Sequence, residues 1–549
     1  MDLLSKDLTE EERIEKLTTW LVNMPSVNGT PNEAEIADKI AALIKQFPYF
    51  THHPTQVWLH QIPNDPLNRK NVFALVRGPK QTKQTVIFHS HMDTVGVKDF
   101  GKLEEHAFDP AALLDYFKTY TGDDTIREQA LSGDWMFGRG ALDMKSGLAV
   151  HLSNLLYYSE HPDRLIGNIL LMVNPIEETS HGGIIAATEE LLRIKETLSL
   201  DYVAAINNDY TSAFYPGDPA RYIYTGAVGK CLPSFYVYGR ETHVGETLKG
   251  LDPTFVTSEL NRQINNNMSL AENLEGEMIL PPCTLLNREI KDHYNVQTPI
   301  TSFIYFNYMI YERPPEDIMN QLKTIAYNVR DMTKKYYEAQ YEAFLKRNGL
   351  PSRMLTWDLA VYTYEEFCEK LGGQGVNVKA LAEKIHLEYQ KEDIRTITYH
   401  IVDELRKHDQ TMQPCIIIFF GPPYVPYTFI EGEKQILNII HEEAERFGKE
   451  TGETFSIKRF FPYLSDSSYL SLIDLKNSLE VLTKNFPEWD SLGQVPFDHL
   501  RKLDIPSINL GVYGMDAHKW TERVYKPYTF HKLPKLTRRL TSAFLKIEG

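Results

Sequence analysis

Cysteine is scarce: Cys231, Cys283, Cys368 and Cys415 are the only four in 549 residues, and no two form a CxxC pair. That scatter argues against a disulfide framework or a cysteine-rich metal site and leaves reduced, structural thiols. No uninterrupted apolar run approaches the ~20 residues that span a bilayer, so no membrane partner is expected. Positive charge is short as well, with 58 Lys and Arg against 74 Asp and Glu and a formal net charge of −16. A phosphate surface requires clustered cations, so nucleic acid and anionic lipid are disfavoured. Neither GxGxxG nor GxxxxGK[ST] occurs, which weakens a nucleotide-dependent oxidoreductase reading. Repeats and low-complexity tracts are absent too. The opening MDLLSKDLTEEERIEKL has no basic n-region and no apolar h-region, so a helix in a cytoplasmic protein is expected there. What remains is the composition of an ordinary soluble enzyme, at a length that one core does not fill.

The order of elements points to layered α/β architecture. Thr9 with Glu12 three positions on reads as a helix cap, and NEAEIADKIAALIKQF carries apolar residues at helical spacing. NVFALVRG and QTVIFHSHMDTV are strand-like runs around the turn GPKQTK, so His91 falls where a strand gives way to a loop. From Lys98 to about Asp134 the text is polar and aromatic and reads as an insertion. NILLMVNPIEE and DYVAAINNDY repeat the pattern of a buried run ending on an acid, with helices between. After Tyr210 the character shifts to alternating β-like and helical segments, including the polar helix EDIMNQLKTIAYNVRDMTKKYYEAQYEAFLKR. The expected division is a catalytic domain over 1–221 and 426–549 with an inserted domain over 222–425.

The chemistry-bearing residues cluster in a few motifs. Glu177 and Glu178 follow an apolar run, and burying two adjacent acids without cations is costly. His91 and Asp93 sit at alternate positions of an extended segment, so both can face one site, the carboxylate aligning the imidazole. Asp143 lies in GRGALDMKSG, where Gly138, Gly140 and Gly147 permit tight turns and close approach. Asp209 ends another apolar run, where a ligand role and a helix-cap or turn role are equally open. His518 arrives in GMDAHKWTERV with Glu522 four positions on, a spacing that makes Glu522 a partner for the His518 loop. His243, in the inserted domain, is a candidate hydrogen-bond donor to a reacting carbonyl. Imidazole and carboxylate donors suit borderline divalent ions, so the set reads as a two-metal hydrolase site.

The series HMD, GRGxxDMKSG, EExxxGG, Asp209, GxxxHxGE, SDSS and DAHKWTE resembles the zinc metallopeptidase family of aminoacylase, carboxypeptidase G and succinyl-diaminopimelate desuccinylase. The resemblance covers nearly the whole chain. It implies an α/β/α catalytic domain with an inserted ferredoxin-like α+β lid, and two divalent ions, zinc before cobalt or manganese. His91, Asp143 and Asp209 would surround one ion, and Asp143, Glu178 and His518 the other, with Asp143 bridging. Glu177 would be the general base, Asp93 would orient His91, Asp466 would support, and the Asp143–Met144 peptide would be cis. The substrate class implied is a small peptide or N-acyl amino acid cleaved at its amide. A homodimer through the lid would carry His243 toward a partner's site. AFDPAALLDYF and SGDWMFGRGALDMKSGLAVHL resemble more narrowly a bacterial branch linked to arginine utilisation, which implies arginine catabolism as the setting. The competing reading is a catalytically silent metal-binding or regulatory protein on the same scaffold.

Overall fold

The computed structural model describes residues 3–80, 82–274, 276–289, 291, 293–430, 434–474, 479–493 and 495–547. The chain is mixed α/β and divides into two compact units. One comprises Met1–Ala227, Thr428–Leu472 and Pro496–Gly549; the other comprises Val228–Tyr427 and Ile473–Val495.

The first unit begins with the helix Glu10–Val22, closed by a reciprocal cap: the Thr9 hydroxyl accepts the Glu12 N–H while the Glu12 carboxylate accepts the Thr9 N–H. Its central sheet has eight strands in the spatial order Val57–Gln61, Lys70–Arg77, Asn168–Asn174, Gln84–His91, Asp201–Asn207, Ser507–Leu510, Ala220–Tyr224 and Thr454–Lys458. The four strands from Asn168–Asn174 to Ser507–Leu510 run parallel. Continuous apolar runs such as Asn168–Asn174, buried at every position, suit a sheet covered by helices. Helices Ser146–Glu160 and Gly182–Thr197 pack on it.

Parallel strands end on one edge, and this positions the site. His91 pairs in register with Asn174, and His89 with Asn207. The segments that carry His91, Glu177 and Asp209 therefore leave the sheet side by side, at the carboxyl ends where open α/β sheets hold ligands.

The 98–134 insertion has more structure than its polar text announces. It folds into the helices Pro110–Lys118 and Asp124–Ser132, capped by Asp109 and Asp123, around Phe100, Leu113, Phe117 and Phe137.

One buried histidine gives the first unit a pH signature. His151, on the helix Ser146–Glu160, is fully buried with its ring stacked 4.7 Å from Phe88. Burial pushes its pKa down to about 3. The unfolded chain binds this proton below about pH 6.5 and the folded chain does not, so stability falls as pH drops through that window. His151→Phe should make the stability loss between pH 7 and pH 5 smaller by about 2 kcal/mol, at about 1.4 kcal/mol per pH unit. Denaturant titrations at the two pH values measure this; an unchanged difference would contradict it.

The second unit is built on a five-stranded sheet in the order Cys283–Glu289, Thr301–Ile310, Gly229–Tyr238, Cys415–Val425 and Ala360–Thr363. Only the last pair is parallel. The long polar stretch is one helix of 33 residues, Pro315–Arg347. All four cysteines are free thiols, and no helix among the described residues is long and apolar enough to cross a membrane.

Candidate metal centre

Five separate segments of the first unit bring their side chains together. His91 Nε2 lies 3.0 Å from Asp143 Oδ1, and His518 Nε2 lies 3.0 Å from Asp143 Oδ2 and 3.1 Å from Glu178 Oε1. Asp143 thus stands between two imidazoles, one carboxylate oxygen facing each. Two groups of donor atoms, each within 4.8 Å of one another, share it: His91, Asp143 and Asp209, and Asp143, Glu178 and His518. His91, Glu177 and Glu178 form a third group, and Glu177, His181 and Asp466 a fourth.

Local backbone explains why these residues meet. Gly140, at φ 78°, turns the chain into the Asp143 loop, and a Cβ at Gly147 would lie 2.3 Å from the Asn208 carbonyl oxygen. Only glycine therefore lets the Asp143 and Asp209 segments approach so closely. The Asp143–Met144 peptide is cis. Ile176, immediately before the paired glutamates, holds φ at 70°, a strained region for a β-branched residue. Its N–H is anchored by the buried Glu33 carboxylate at 2.9 Å.

Asp93 contacts three of the other site residues. Its two oxygens accept the backbone N–H groups of Glu177 and Glu178, each at 3.1 Å. Its Oδ1 lies 3.6 Å from His91 Nδ1, and its carbonyl oxygen lies nearer, at 3.2 Å.

Glu522 departs from the partnership with His518 that sequence spacing suggested. Its Oε1 accepts the N–H groups of Leu142 and Asp143, and its Oε2 accepts Arg139 Nη1 at 2.7 Å. Arg139 in turn donates to both oxygens of Asp99 and to the Gly96 carbonyl. Glu522 therefore holds the Asp143 loop. Arg139, Glu33 and His181 escaped sequence reasoning. For Arg139 the signal existed in the GRG of its motif; for Glu33, on the polar-looking turn of an amphipathic helix, none did.

His89 Nε2 lies 2.9 Å from Asn174 Oδ1 and 3.8 Å from Asp466 Oδ2, outside the two groups that share Asp143, and Asp466 accepts His181 Nδ1 at 2.9 Å. His243 belongs to the second unit, where it is exposed and its Nδ1 accepts the Gly245 N–H.

The electrostatics show an excess of negative charge. Burial, with Asp143 nearby, pushes Asp209 up to about 8. Burial likewise raises Glu177 and Glu178, reinforced by repulsion from neighbouring carboxylates. Partial burial opposes a charged His518, but its hydrogen bonds to Asp143 and Glu178 push it up to about 11. Asp143 itself, despite burial, is held below the usual carboxylate range by His518 and His91. Asp143, Glu177, Glu178 and Asp209, four carboxylates facing the imidazoles of His91 and His518, form an N/O donor set with too few cations, and divalent ions fit it on both counts.

A profile of Peptidase family M20/M25/M40 matches residues 87–475. The chain belongs to this family. It is a hydrolase of the peptidase class, and protein RocB of Bacillus subtilis (strain 168) is 46% identical to it over 539 residues, 97% of this chain and 95% of RocB. The uncharacterized protein YqjN of the same organism is 34% identical over 98% of this chain and 97% of its own. Among solved structures, a tripeptidase from Staphylococcus aureus aligns with TM-score 0.53 at 14% identity, covering 98% of this chain and 99% of its own. The M20 family metallo-carboxypeptidase Sso-CP2 from Sulfolobus solfataricus aligns with TM-score 0.53 at 12% identity, covering 98% and 100%. These structures share the fold of this M20-family chain.

Proposed function

We propose that this chain is a dinuclear metal-dependent amidohydrolase acting on a small peptide or N-acyl amino acid. The observation that supports it best is Asp143, whose two carboxylate oxygens each meet a different imidazole and which belongs to two overlapping donor groups. In this reading His91, Asp143 and Asp209 hold one ion, and Asp143, Glu178 and His518 the other. Two such ions, when bound by these residues, would supply Lewis-acid polarisation of the substrate carbonyl and a lowered pKa for the attacking water. Zinc is the first choice, with cobalt and manganese compatible with the same donors.

Glu177 supplies the proton transfer. Its carboxylate takes a proton from the attacking water and passes it to the leaving nitrogen, as general base and then general acid. Asp93 fixes the backbone on which Glu177 and Glu178 stand and restrains the His91 ring. His243 donates to the developing oxyanion, which makes the second unit a lid and a homodimer through it part of the proposal. The reading includes a cytoplasmic setting, and its link to arginine catabolism rests on the sequence resemblance alone.

Metal analysis alongside hydrolysis of dipeptides and N-acyl amino acids tests this function. Two divalent ions per chain, with turnover abolished by chelation and restored by readdition, is the expected result. Two ions without any turnover would favour the silent metal-binding protein, and fewer than two would end the dinuclear reading.

A further inference from the structure

A cavity of about 640 Å³ in the first unit opens among residues that adjoin the proposed ligands in sequence. Leu142 precedes Asp143, Tyr210 follows Asp209 and Ala517 precedes His518, and all three line it. Ile126, from the insertion, supplies another part of the wall, with Phe214, Tyr463 and Met515. Tyr210 and Tyr463 pack with ring centroids 5.0 Å apart. Phe214, more than half exposed, packs edge-on against Tyr222 at 4.6 Å. The loop that carries it is fixed by Asp218, which accepts the Phe214 and Ala220 N–H groups and the Tyr222 hydroxyl. The insertion is fastened to the His518 segment, since Arg523 Nε donates to Gln129 Oε1 at 2.6 Å.

The charged groups of this cavity already have partners. Asp516 Oδ2 accepts Arg523 Nη1 at 2.6 Å and the Thr521 hydroxyl at 2.8 Å, and its Oδ1 accepts Lys519 Nζ at 3.2 Å. Asp123, at the exposed rim, accepts the N–H groups of Thr125 and Ile126 as a helix cap. A carboxylate or guanidinium entering here would have to break a pair or stay uncompensated, whereas an apolar ring would replace water on aromatic walls.

We infer that this cavity receives the side chain or acyl group of the substrate next to the scissile amide, and that it selects an uncharged, aromatic or long aliphatic group over a charged one. The inference rests on the amidohydrolase reading and adds the substrate class. The space fits the range of small-ligand sites, and its walls come from the insertion as well as the ligand-bearing loops.

Calorimetric titration of the metal-loaded Glu177→Gln protein tests it without turnover. N-acetyl-L-phenylalanine and N-acetyl-L-leucine should bind at least about tenfold more tightly than N-acetyl-L-arginine and N-acetyl-L-glutamate. Ser212 also lines the cavity. Ser212→Trp, made in the same background to fill it, should erase that preference, and Phe214→Ala, at an exposed position that tolerates truncation, should reduce it. Metal content and melting temperature establish that each variant is folded. Equal or tighter binding of the charged ligands, binding of none of the four, or a preference that survives Ser212→Trp overturns the inference. The amidohydrolase reading fails separately, when the wild-type protein with two ions hydrolyses no amide in the broad panel.

Discussion

Glu177→Gln should lower kcat by about three orders of magnitude or more while leaving two metal ions bound, the loss expected when a positioned general base is removed. Glutamine keeps the size and most of the hydrogen-bonding capacity of glutamate but cannot take a proton. Glu177 lies outside the two donor groups that share Asp143, so loading of both sites should persist. Its backbone N–H would still be held by Asp93. The metal-free protein should meanwhile be at least as stable as wild type. Burial and the neighbouring Glu178, Asp466 and Asp209 charges all oppose an ionised Glu177 while His91 favours it, and the substitution removes that repulsion. Metal analysis, single-turnover kinetics and thermal melting with and without chelator read the three effects. A kcat within tenfold of wild type removes Glu177 from the role of base. Lost metal assigns it to the ligands.

Part of this arrangement could be read from the sequence because three of its acids and histidines follow recognisable element ends. His91, Glu177 and Asp209 close three buried runs, and parallel pairing of those runs brings their ends to one edge. Asp143 and His518 came instead from motif order, since no periodicity states that residues 375 positions apart will share Glu178 and the space around it. The same limit hid Arg139 and Glu33, whose partners lie 383 and 143 residues away. Local spacing misdirected Glu522 toward His518. The i, i+4 argument assumes a helical turn, but the chain at His518 adopts φ 64° and leads into the short strand Arg523–Tyr525. The helices of the insertion were obscured because their apolar residues serve a small separate core. The substrate cavity was hidden entirely, since its walls are contributed by loops whose residues carry no shared pattern.

The Arg139–Glu522 pair carries the second large expectation. Arg139 and Glu522 have side chains 1% and 0% exposed, and Glu522 also receives the two N–H groups that fix the Asp143 loop. Burial pushes Glu522 up to about 7, and Arg139, together with the N–H groups of Asp143 and Leu142, favours its ionised form against that burial. Arg139→Met leaves a buried acid without its cation and should cost about 3–5 kcal/mol of stability. It should also loosen Asp143 and weaken metal binding by tenfold or more, the usual scale for partners that orient ligands. Arg139→Lys should recover only part of both losses, because one ammonium cannot span Glu522, Asp99 and the Gly96 carbonyl as the planar fork does. The double variant Arg139→Met with Glu522→Gln should be less destabilised than the sum of the singles, since removing the stranded charge relieves the penalty. Additive losses, or an Arg139→Met protein with wild-type melting and metal affinity, would show that the Asp143 loop holds its position without this network.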